Sequence, residues 1–188
     1  MIEIVGYKDS WTNEFRDLAF ILRQGLGKSA LRIDHIGSTS VPGLAAKDVI
    51  DIQISVAAFS PELLTAMSIL GYSQIEGFRS DHRPAHAAGS YIEWEKWFFN
   101  PPAGQRRTNT HIRIEGRANQ RYAILFRDYL RTHPASAESY AELKRRLAHN
   151  LADLKVYAEI KDPAVDLIYL AAEEWATSVK WKQGQSDA

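Results

Sequence analysis

The sequence predicts an α+β fold: a small mixed β-sheet with flanking helices, followed by a C-terminal helical layer. Two observations predict it. Before residue 116, short stretches alternate apolar and polar residues with the period of a strand, and helical stretches lie between them. After Gly116 the apolar residues recur at helical spacing. The 188 residues fit one domain, with an α/β core over 1–116 and helices over 117–182.

The first elements follow from capping residues and spacing. Asp9-Ser10 offers an N-cap for a helix over 11–26. The apolar residues of this helix recur at helical spacing, and Gly25 and Gly27 end it. Residues 2–5 are expected as a short strand or an extended lead-in. Alternation predicts a strand over 31–36.

The middle of the chain alternates strands and turn signals. The elements expected there are a strand over 49–56, a helix over 60–70, a short strand over 72–75, a loop over 77–90 and a strand over 91–99. The strand over 49–56 is wholly apolar at its even positions, so we expect that face to point to the core. The loop is the candidate for a mobile flap.

The last part begins with a strand over 108–115 and then becomes helical. We expect one helix over 119–133, a long second helix over 136–161 and a third that begins at Pro163 or the residue before it. Residues 183–188 are expected to fray.

A small-residue turn and the strand after it carry the candidate chemistry. Gly37 and Ser38 follow a strand, and backbone N–H groups with a hydroxyl at such a turn suit phosphate. Lys47 lies just before the next strand and can neutralise phosphate, although a solvated loop lysine is equally compatible. Asp51 and Gln53, two residues apart, point to one strand face, where the carboxylate can hold a divalent cation.

The segment HIGSTSVPGLAAK over 35–47, followed by an aspartate-bearing strand, resembles the GrpB family of the nucleotidyltransferase superfamily, which has the polymerase-β-like fold. Further segments resemble the same family and spread the resemblance over nearly the whole chain: NTHIRI at 109–114, LFRDYLRTHP at 125–134, YAELKRRLA at 140–148 and YAEIKDP at 157–163.

The resemblance implies roles for individual residues. Ser38 and the backbone of Thr39 would bind phosphate, and Asp51 would hold Mg²⁺. A C-terminal helical layer closes over the nucleotide in this superfamily, so Lys144 and Lys161 are expected to point at the phosphates. The alternative is an ordinary charged helix face. GrpB-like domains also occur fused to dephospho-CoA kinase, which implies a nucleotide or coenzyme A context.

The second position of the acid pair departs from the superfamily pattern. Catalytic members hold two metals with carboxylates on this strand and on a later one. Gln53 occupies that position here; its carbonyl oxygen is expected to help Asp51 hold Mg²⁺ but supplies no charge. We therefore expect one metal to be held better than two, which favours binding over catalysis. A third acid is expected from Glu93, Glu95 or Glu115, each of which also fits a solvent-facing strand position.

The strand over 108–115 is expected to add a histidine and an arginine to the face that carries Asp51. His111 and Arg113 lie two residues apart, so they share a face with each other. The histidine suits a general base or a metal ligand, and the arginine suits bidentate phosphate binding. A hydrogen-bonded structural pair is the alternative. His35, directly before the turn, either belongs to the site or only supports the turn.

Composition excludes several classes of function. Lysine plus arginine and aspartate plus glutamate both number 23, so the net charge is zero and a general nucleic-acid partner is disfavoured. The absence of cysteine excludes disulfides, thiol catalysis and cysteine-rich zinc sites. No apolar run suits a signal peptide or a membrane span, and we expect a cytoplasmic protein. The motifs of P-loop kinases, Rossmann dehydrogenases and α/β-hydrolases are missing.

Two functions follow as hypotheses. The first is a Mg²⁺-dependent nucleotidyltransferase that uses a nucleoside triphosphate and a small acceptor. The second is a non-catalytic module that binds a nucleotide or another phosphorylated small molecule and has lost the two-metal centre. The sequence leaves the acceptor, the base preference, the pathway and the oligomeric state open.

Overall fold

The computed structural model describes residues 2–85, 87 and 89–188; His86 and one alanine of the expected loop therefore lie outside the described residues. The helices are α1 (Ser10–Leu26), α2 (Pro61–Ile69), α3 (Ala118–Thr132), α4 (Pro134–Asn150) and α5 (Leu154–Val179). The strands are β1 (Arg32–Ile36), β2 (Ile50–Val56), β3 (Ser73–Gln74), β4 (Trp97–Asn100) and β5 (Thr108–Ile114). The mixed α+β fold predicted from the alternation is confirmed.

The strands form one five-stranded sheet in the order β1-β2-β5-β4-β3. The central pair, β2 and β5, is parallel, and the other neighbours are antiparallel. In the central register Asp51 lies opposite Asn109, and Gln53 lies opposite His111. The parallel pairing therefore brings the polar faces of two separate sequence motifs side by side.

Helices cover both faces of the sheet. The even-numbered isoleucines of β2 pack with α1 and α2 in one apolar cluster, as the alternation predicted; members of this cluster include Trp11, Phe15, Leu22, Ile50, Ile52 and Ile54. A second cluster joins α3, α4 and α5 to the small-residue turn region, through residues that include Val41, Leu44, Phe126, Tyr140 and Tyr169. The polar face of β2 and β5 therefore points toward the C-terminal helices.

The strand expected over 91–99 was wrong in its first half. Tyr91–Trp94 forms a 3₁₀ turn, and β4 begins only at Trp97. The turn starts with the backbone N–H of Glu93 donating to Ser90 O at 3.0 Å and buries Trp94 completely. The indole is therefore buried from a turn and not from a strand. For the same reason Glu93 and Glu95 do not share a strand face.

The long helix expected over 136–161 is two helices. A break over 151–153 separates α4 from α5, and the side chain of Asp153 accepts hydrogen bonds from Lys155 N and Val156 N as the N-cap of α5. Pro163, expected at a helix start, lies inside α5. The residues before and after Asp153 favour helix formation, so the sequence pattern did not show that Asp153 begins a new helix.

The C-terminal residues do not fray as expected. Ser186 Oγ accepts from Ile33 N at 2.9 Å, and Asp187 accepts from His35 N at 2.9 Å and from Arg127 Nη1 at 2.6 Å. The strand β1 is a sheet edge with free backbone groups, and the tail satisfies them. The N-terminal stretch, by contrast, contributes only an isolated bridge between Val5 and Ala46. Among the residues that the structure describes, no helix is long and apolar enough to span a bilayer.

Replacing Pro163 by alanine should stabilise the protein. The proline lies exposed within α5 and cannot donate a backbone hydrogen bond there. We expect the P163A variant to gain about 2 kcal/mol in the free energy of unfolding, measured by urea denaturation. Pro134 is the control: it occupies the first turn of α4, where proline is favoured, so P134A should gain nothing. Equal effects of the two changes would contradict the helix assignment.

Candidate functional site

A cavity of about 310 Å³ lies between the polar face of the sheet and the C-terminal helices. That volume is at the small end of the range for ligand pockets, about 300–1,000 Å³. Its polar lining residues are Gly37, Ser38, Lys47, Asp51, Asn109, His111, Arg113, Lys144 and Lys161. Its apolar and aromatic lining includes Ile36, Val49, Tyr122, Phe126, Tyr140, Tyr157 and Val165. The cavity thus combines charged and aromatic side chains in one lining.

The small-residue turn approaches the β2 carboxylate closely because it begins with glycine. Gly37 has φ 67° and ψ −171°, a conformation that side chains oppose, and a Cβ there would overlap Oδ2 of Asp51. Ser40 Oγ donates to Gly37 O at 2.6 Å and holds the turn. The backbone of the turn and the carboxylate therefore face the same space.

Asp51 has one oxygen engaged within the protein. Its Oδ1 accepts from Asn109 Nδ2 at 2.7 Å, across the parallel strand pair. Burial raises the pKa of Asp51, while the hydrogen bond from Asn109 and the charges of Lys47 and Lys161 oppose that rise. The other oxygen is the one that lies against Gly37.

Three lysines from different parts of the chain meet in this cavity. Lys144 is 3% exposed, and its Nζ donates to Ser38 Oγ at 2.8 Å and to Ala45 O at 2.5 Å. Burial and the charge of Lys161 lower the pKa of Lys144 to about 7. Desolvation also lowers the pKa of Lys47, whose Nζ lies 5.3 Å from the ring centroid of Tyr157, and the pKa of Lys161. The cavity therefore concentrates positive charge around one carboxylate.

Arg113 belongs to a buried ion-pair network as well as to the cavity wall. Its guanidinium donates to both carboxylate oxygens of Asp81, at 2.8 and 2.9 Å, and to Gln53 Oε1 at 2.6 Å. Asp81 also accepts from Lys96 Nζ at 2.7 Å and from Asn119 Nδ2 at 3.0 Å. Burial alone would raise the pKa of Asp81, but the charges of Arg113 and Lys96 hold it well below its usual value.

His111 lies beside this network, in surroundings that disfavour protonation of its ring. Burial, followed by the charges of Lys96 and Arg113, lowers its pKa well below the usual value, against a smaller opposing effect of Asp81. Arg113 Nη2 lies 3.4 Å from His111 Nδ1. A histidine that resists protonation suits hydrogen bonding or metal binding better than proton acceptance.

Most of the predicted site residues meet in the cavity. Those that line it are Gly37, Ser38, Lys47, Asp51, His111, Arg113, Lys144 and Lys161. Thr39 is buried away from it and pairs with His35 Nε2 at 3.0 Å, while His35 stacks on Phe15 and supports the turn.

The remaining predicted residues are engaged elsewhere. Gln53 is completely buried, its oxygen bound to Arg113 and its Nε2 donating to Gln120 O at 3.1 Å. Glu93 accepts from Ala118 N at 3.2 Å in the 3₁₀ turn, and Glu115 is exposed beyond the end of β5. Glu95 forms an ion pair with Arg117.

The donor set suits one hard cation at most. Within the described ranges, no group of three or more histidine, aspartate or glutamate residues is arranged to hold a metal. Asp51 is the one carboxylate among the cavity-lining residues, and Gln53 has its oxygen occupied. The residues therefore do not fit a two-metal centre. A single Mg²⁺ bound by one carboxylate and by substrate phosphates is compatible with them.

The sequence did not identify Asn109, Tyr140 or Asp81 as site residues. Asn109 lies one strand alternation before His111, so the strand pattern could have placed it on the same face. Tyr140 lines the cavity four residues before Lys144, so the helical spacing within YAELK could have placed both on one face. Asp81 comes from the expected loop over 77–90, where only its position beside basic residues distinguished it.

Comparison with known proteins decides the family. Residues 1–170 match the family model described as GrpB protein. The chain belongs to the GrpB family. The resemblance predicted from the separated motifs is thus confirmed.

Other GrpB relatives agree over most of the chain. A crystal structure of conserved protein GrpB from Enterococcus faecalis is 28% identical and superposes with a TM-score of 0.73, covering 92% of this chain and 99% of that one. The UPF0157 protein YqkA of Bacillus subtilis is 32% identical over 189 residues, which are 100% of this chain and 50% of that protein.

A dephospho-CoA kinase of Mycobacterium tuberculosis (strain ATCC 25618 / H37Rv) is also similar. It is 35% identical over 197 residues, which are 95% of this chain and 48% of the kinase. The chain spans about half the length of the first curated relatives it matches. The name dephospho-CoA kinase belongs to that whole relative, of which this chain matches 48%.

Adding a methyl group at Gly37 should damage the site. The G37A variant would place Cβ against the Asp51 carboxylate in a backbone conformation reserved for glycine, and we expect a loss of about 3 kcal/mol in the free energy of unfolding. Gly43 has a similar positive φ of 79° but nothing near its Cβ position, so G43A should cost only about 1 kcal/mol. Urea denaturation measures both. Equal losses would mean that the contact with Asp51 is unimportant.

Removing the charge of Asp81 should destabilise the protein in a pH-dependent way. The D81N variant leaves Arg113 and Lys96 without their carboxylate, a loss of about 3 kcal/mol at pH 7. Because the folded-state pKa of Asp81 is depressed, its stabilisation is present above the unfolded-state pKa of about 3.9 and declines as the pH falls below it. The difference between wild type and D81N should therefore shrink below about pH 4. A difference that stays constant down to pH 2 would contradict this network.

Proposed function

We propose that the cavity binds the phosphate groups of a nucleotide or of another phosphorylated small molecule. One observation carries the proposal: the ammonium groups of Lys47, Lys144 and Lys161 line one small cavity together with the Gly37–Ser38 turn. Among the described residues that line it, Asp51 is the one acid, and Asp162 Oδ1 lies 3.9 Å from Lys161 Nζ. A polyanion would balance the remaining positive charge of the lysines, and the turn offers backbone N–H groups and a hydroxyl at the same place.

The lowered pKa values of the three lysines support an anionic ligand. Burial disfavours the ammonium form of each lysine, and the charge of Lys161 adds to this effect at Lys47 and Lys144. A bound phosphate would reverse part of this effect, since a nearby negative charge favours the protonated amine. Part of the favourable free energy of phosphate binding would therefore come from stabilising ammonium groups that burial otherwise disfavours.

The aromatic side chains of the cavity lining suit the base of a nucleotide. Tyr122, Phe126, Tyr140 and Tyr157 line the same space as the lysines. Aromatic rings stack favourably on bases, and a volume near 310 Å³ leaves room for a compact ligand.

Nucleotidyl transfer is the activity we propose for this ligand. Asp51 would hold one Mg²⁺ that arrives with a nucleoside triphosphate and supplies charge neutralisation at the phosphates. Lys47 and Lys161 would neutralise the remaining negative charge, and the Gly37–Ser38 turn would fix the phosphate position. A hydroxyl or amine of a small acceptor would attack the α-phosphorus and release pyrophosphate.

A non-catalytic binding module is the second candidate. The observation that favours it is Gln53, which stands where a second acid would and is bound to Arg113. Binding requires only the lysines and the turn, whereas transfer also requires the metal and an acceptor. Release of pyrophosphate in the presence of candidate acceptors distinguishes the two.

Thermal unfolding with a panel of nucleoside triphosphates, with and without Mg²⁺, tests the binding. At a ligand concentration near 100 Kd the native state gains about 2.7 kcal/mol, which raises the Tm by about 5 to 10 °C. We expect K161M and D51A to lose most of this shift. K155M is the control, because Lys155 lies on the same helix with its side chain 86% exposed and should keep the full shift. No shift with any phosphorylated compound in the panel would contradict the proposal.

A further inference from the structure

The hydroxyl of Ser38 is in contact with a buried amine. Lys144 Nζ lies 2.8 Å from Ser38 Oγ and 4.6 Å from the ring centroid of Tyr140. Tyr140 and Lys144 are one turn apart on α4, and both line the cavity together with Ser38. The Lys144 amine lines the cavity and also contacts the serine hydroxyl, a contact that neutralisation of phosphate alone does not require.

We propose that Ser38 is a nucleophile with the amine of Lys144 as its general base, and that it forms a covalent ester with phosphorus of the ligand in the cavity. The nature of that ligand rests on the proposed function, but the reactivity of Ser38 does not. Serine nucleophiles activated by lysine are an established variant of the serine–histidine arrangement.

The hydrogen-bond geometry fits a neutral Lys144. A neutral amine has two N–H groups and one lone pair. One N–H can donate to Ala45 O, 2.5 Å away, and the lone pair can then accept the Ser38 hydroxyl proton. The Nζ also lies 4.6 Å from the ring centroid of Tyr140, which restricts its movement.

The surroundings of Lys144 keep a useful fraction of the amine neutral. Burial lowers its pKa to about 7, with the charges of Lys161, Arg145 and Lys47 acting in the same direction and that of Asp51 opposing them. At pH 7 both the neutral and the protonated forms are therefore present, as a general base near neutral pH requires.

The proposed step balances in atoms and charge. Ser38 Oγ forms a bond to phosphorus, and the bond from phosphorus to the leaving oxygen breaks. The hydroxyl proton moves to Lys144 Nζ, which is then placed to return it to the leaving group or to take part in release of the ester. Lys47 and Lys161 line the same cavity and would stabilise the negative charge on the phosphorus-bound oxygens.

A fluorophosphonate probe tests the reactivity without knowledge of the ligand. Ser38 Oγ would displace fluoride from the probe, and Lys144 would take the proton. Intact-mass and peptide mass spectrometry of the wild-type protein should find one adduct, located on Ser38. The rate of labelling should rise with pH through about 7 and then level off, because the neutral amine is the base.

Two variants and two controls complete the test. S38A should abolish the adduct, and K144M should slow labelling by about 100-fold and remove its pH dependence near 7. The controls are S139A, an exposed serine of the same helix as Lys144, and K155M; both should label at the wild-type rate. Thermal unfolding of each variant shows whether it is folded.

The failures of the two proposals are distinguishable. Three results would overturn the proposal that Ser38 is a nucleophile activated by Lys144: no adduct on wild-type Ser38, an adduct on another residue, or an unchanged labelling rate in folded K144M. If a triphosphate still raises the Tm in those cases, the proposed function stands alone. If Ser38 is labelled but no phosphorylated compound shifts the Tm, the proposal that Ser38 is a nucleophile stands and the proposed ligand class is wrong.

Discussion

Concentration of positive charge beside a single carboxylate is the constraint on which this site depends. Lys47, Lys144 and Lys161 come from a loop and two helices, and the charge of Lys161 lowers the pKa of the other two. Such a cluster costs free energy unless an anion neutralises it. The helical layer nevertheless holds it in place, with Lys144 fixed to Ser38 and Ala45. This cost is the physical basis of the proposal that the cavity binds a ligand with several negative charges.

The sheet determines where this charge is placed. Parallel pairing of β2 with β5 puts Asp51 beside Asn109, and the glycine conformation at position 37 lets the turn after β1 approach the carboxylate. Beside the cavity lies a buried ion-pair network, in which Arg113 donates to both carboxylate oxygens of Asp81. Since Asp81 neutralises Arg113, the free positive charge of the cavity comes mainly from the helices. The sheet therefore supplies geometry, and the helical layer supplies charge.

The sequence predicted the framework well because its signals were local. Strand alternation identified β2 and its buried face, and the separated motifs identified the family and most of the cavity lining. The errors arose where distant contacts override local pattern. Trp94 is buried from a 3₁₀ turn within an alternating stretch, and residues 186 and 187 pair with β1 although their composition suits a free tail.

Long-range contacts also explain the site residues that were missed or reassigned. Gln53 shares a strand face with Asp51, yet its amide is used by Arg113 and Gln120 rather than by the cavity. Asp81 lies in a loop whose path no periodicity predicts. Its partners are recognisable only once β5 and α3 are assembled around it.

A crystal structure of the protein with ATP and Mg²⁺ would test the central claim most directly. We predict triphosphate density in the cavity, with phosphate oxygens within hydrogen-bonding distance of Ser38 and of at least two of Lys47, Lys144 and Lys161. Density for the nucleotide on another surface, or an unchanged cavity under conditions that saturate binding in solution, would contradict it.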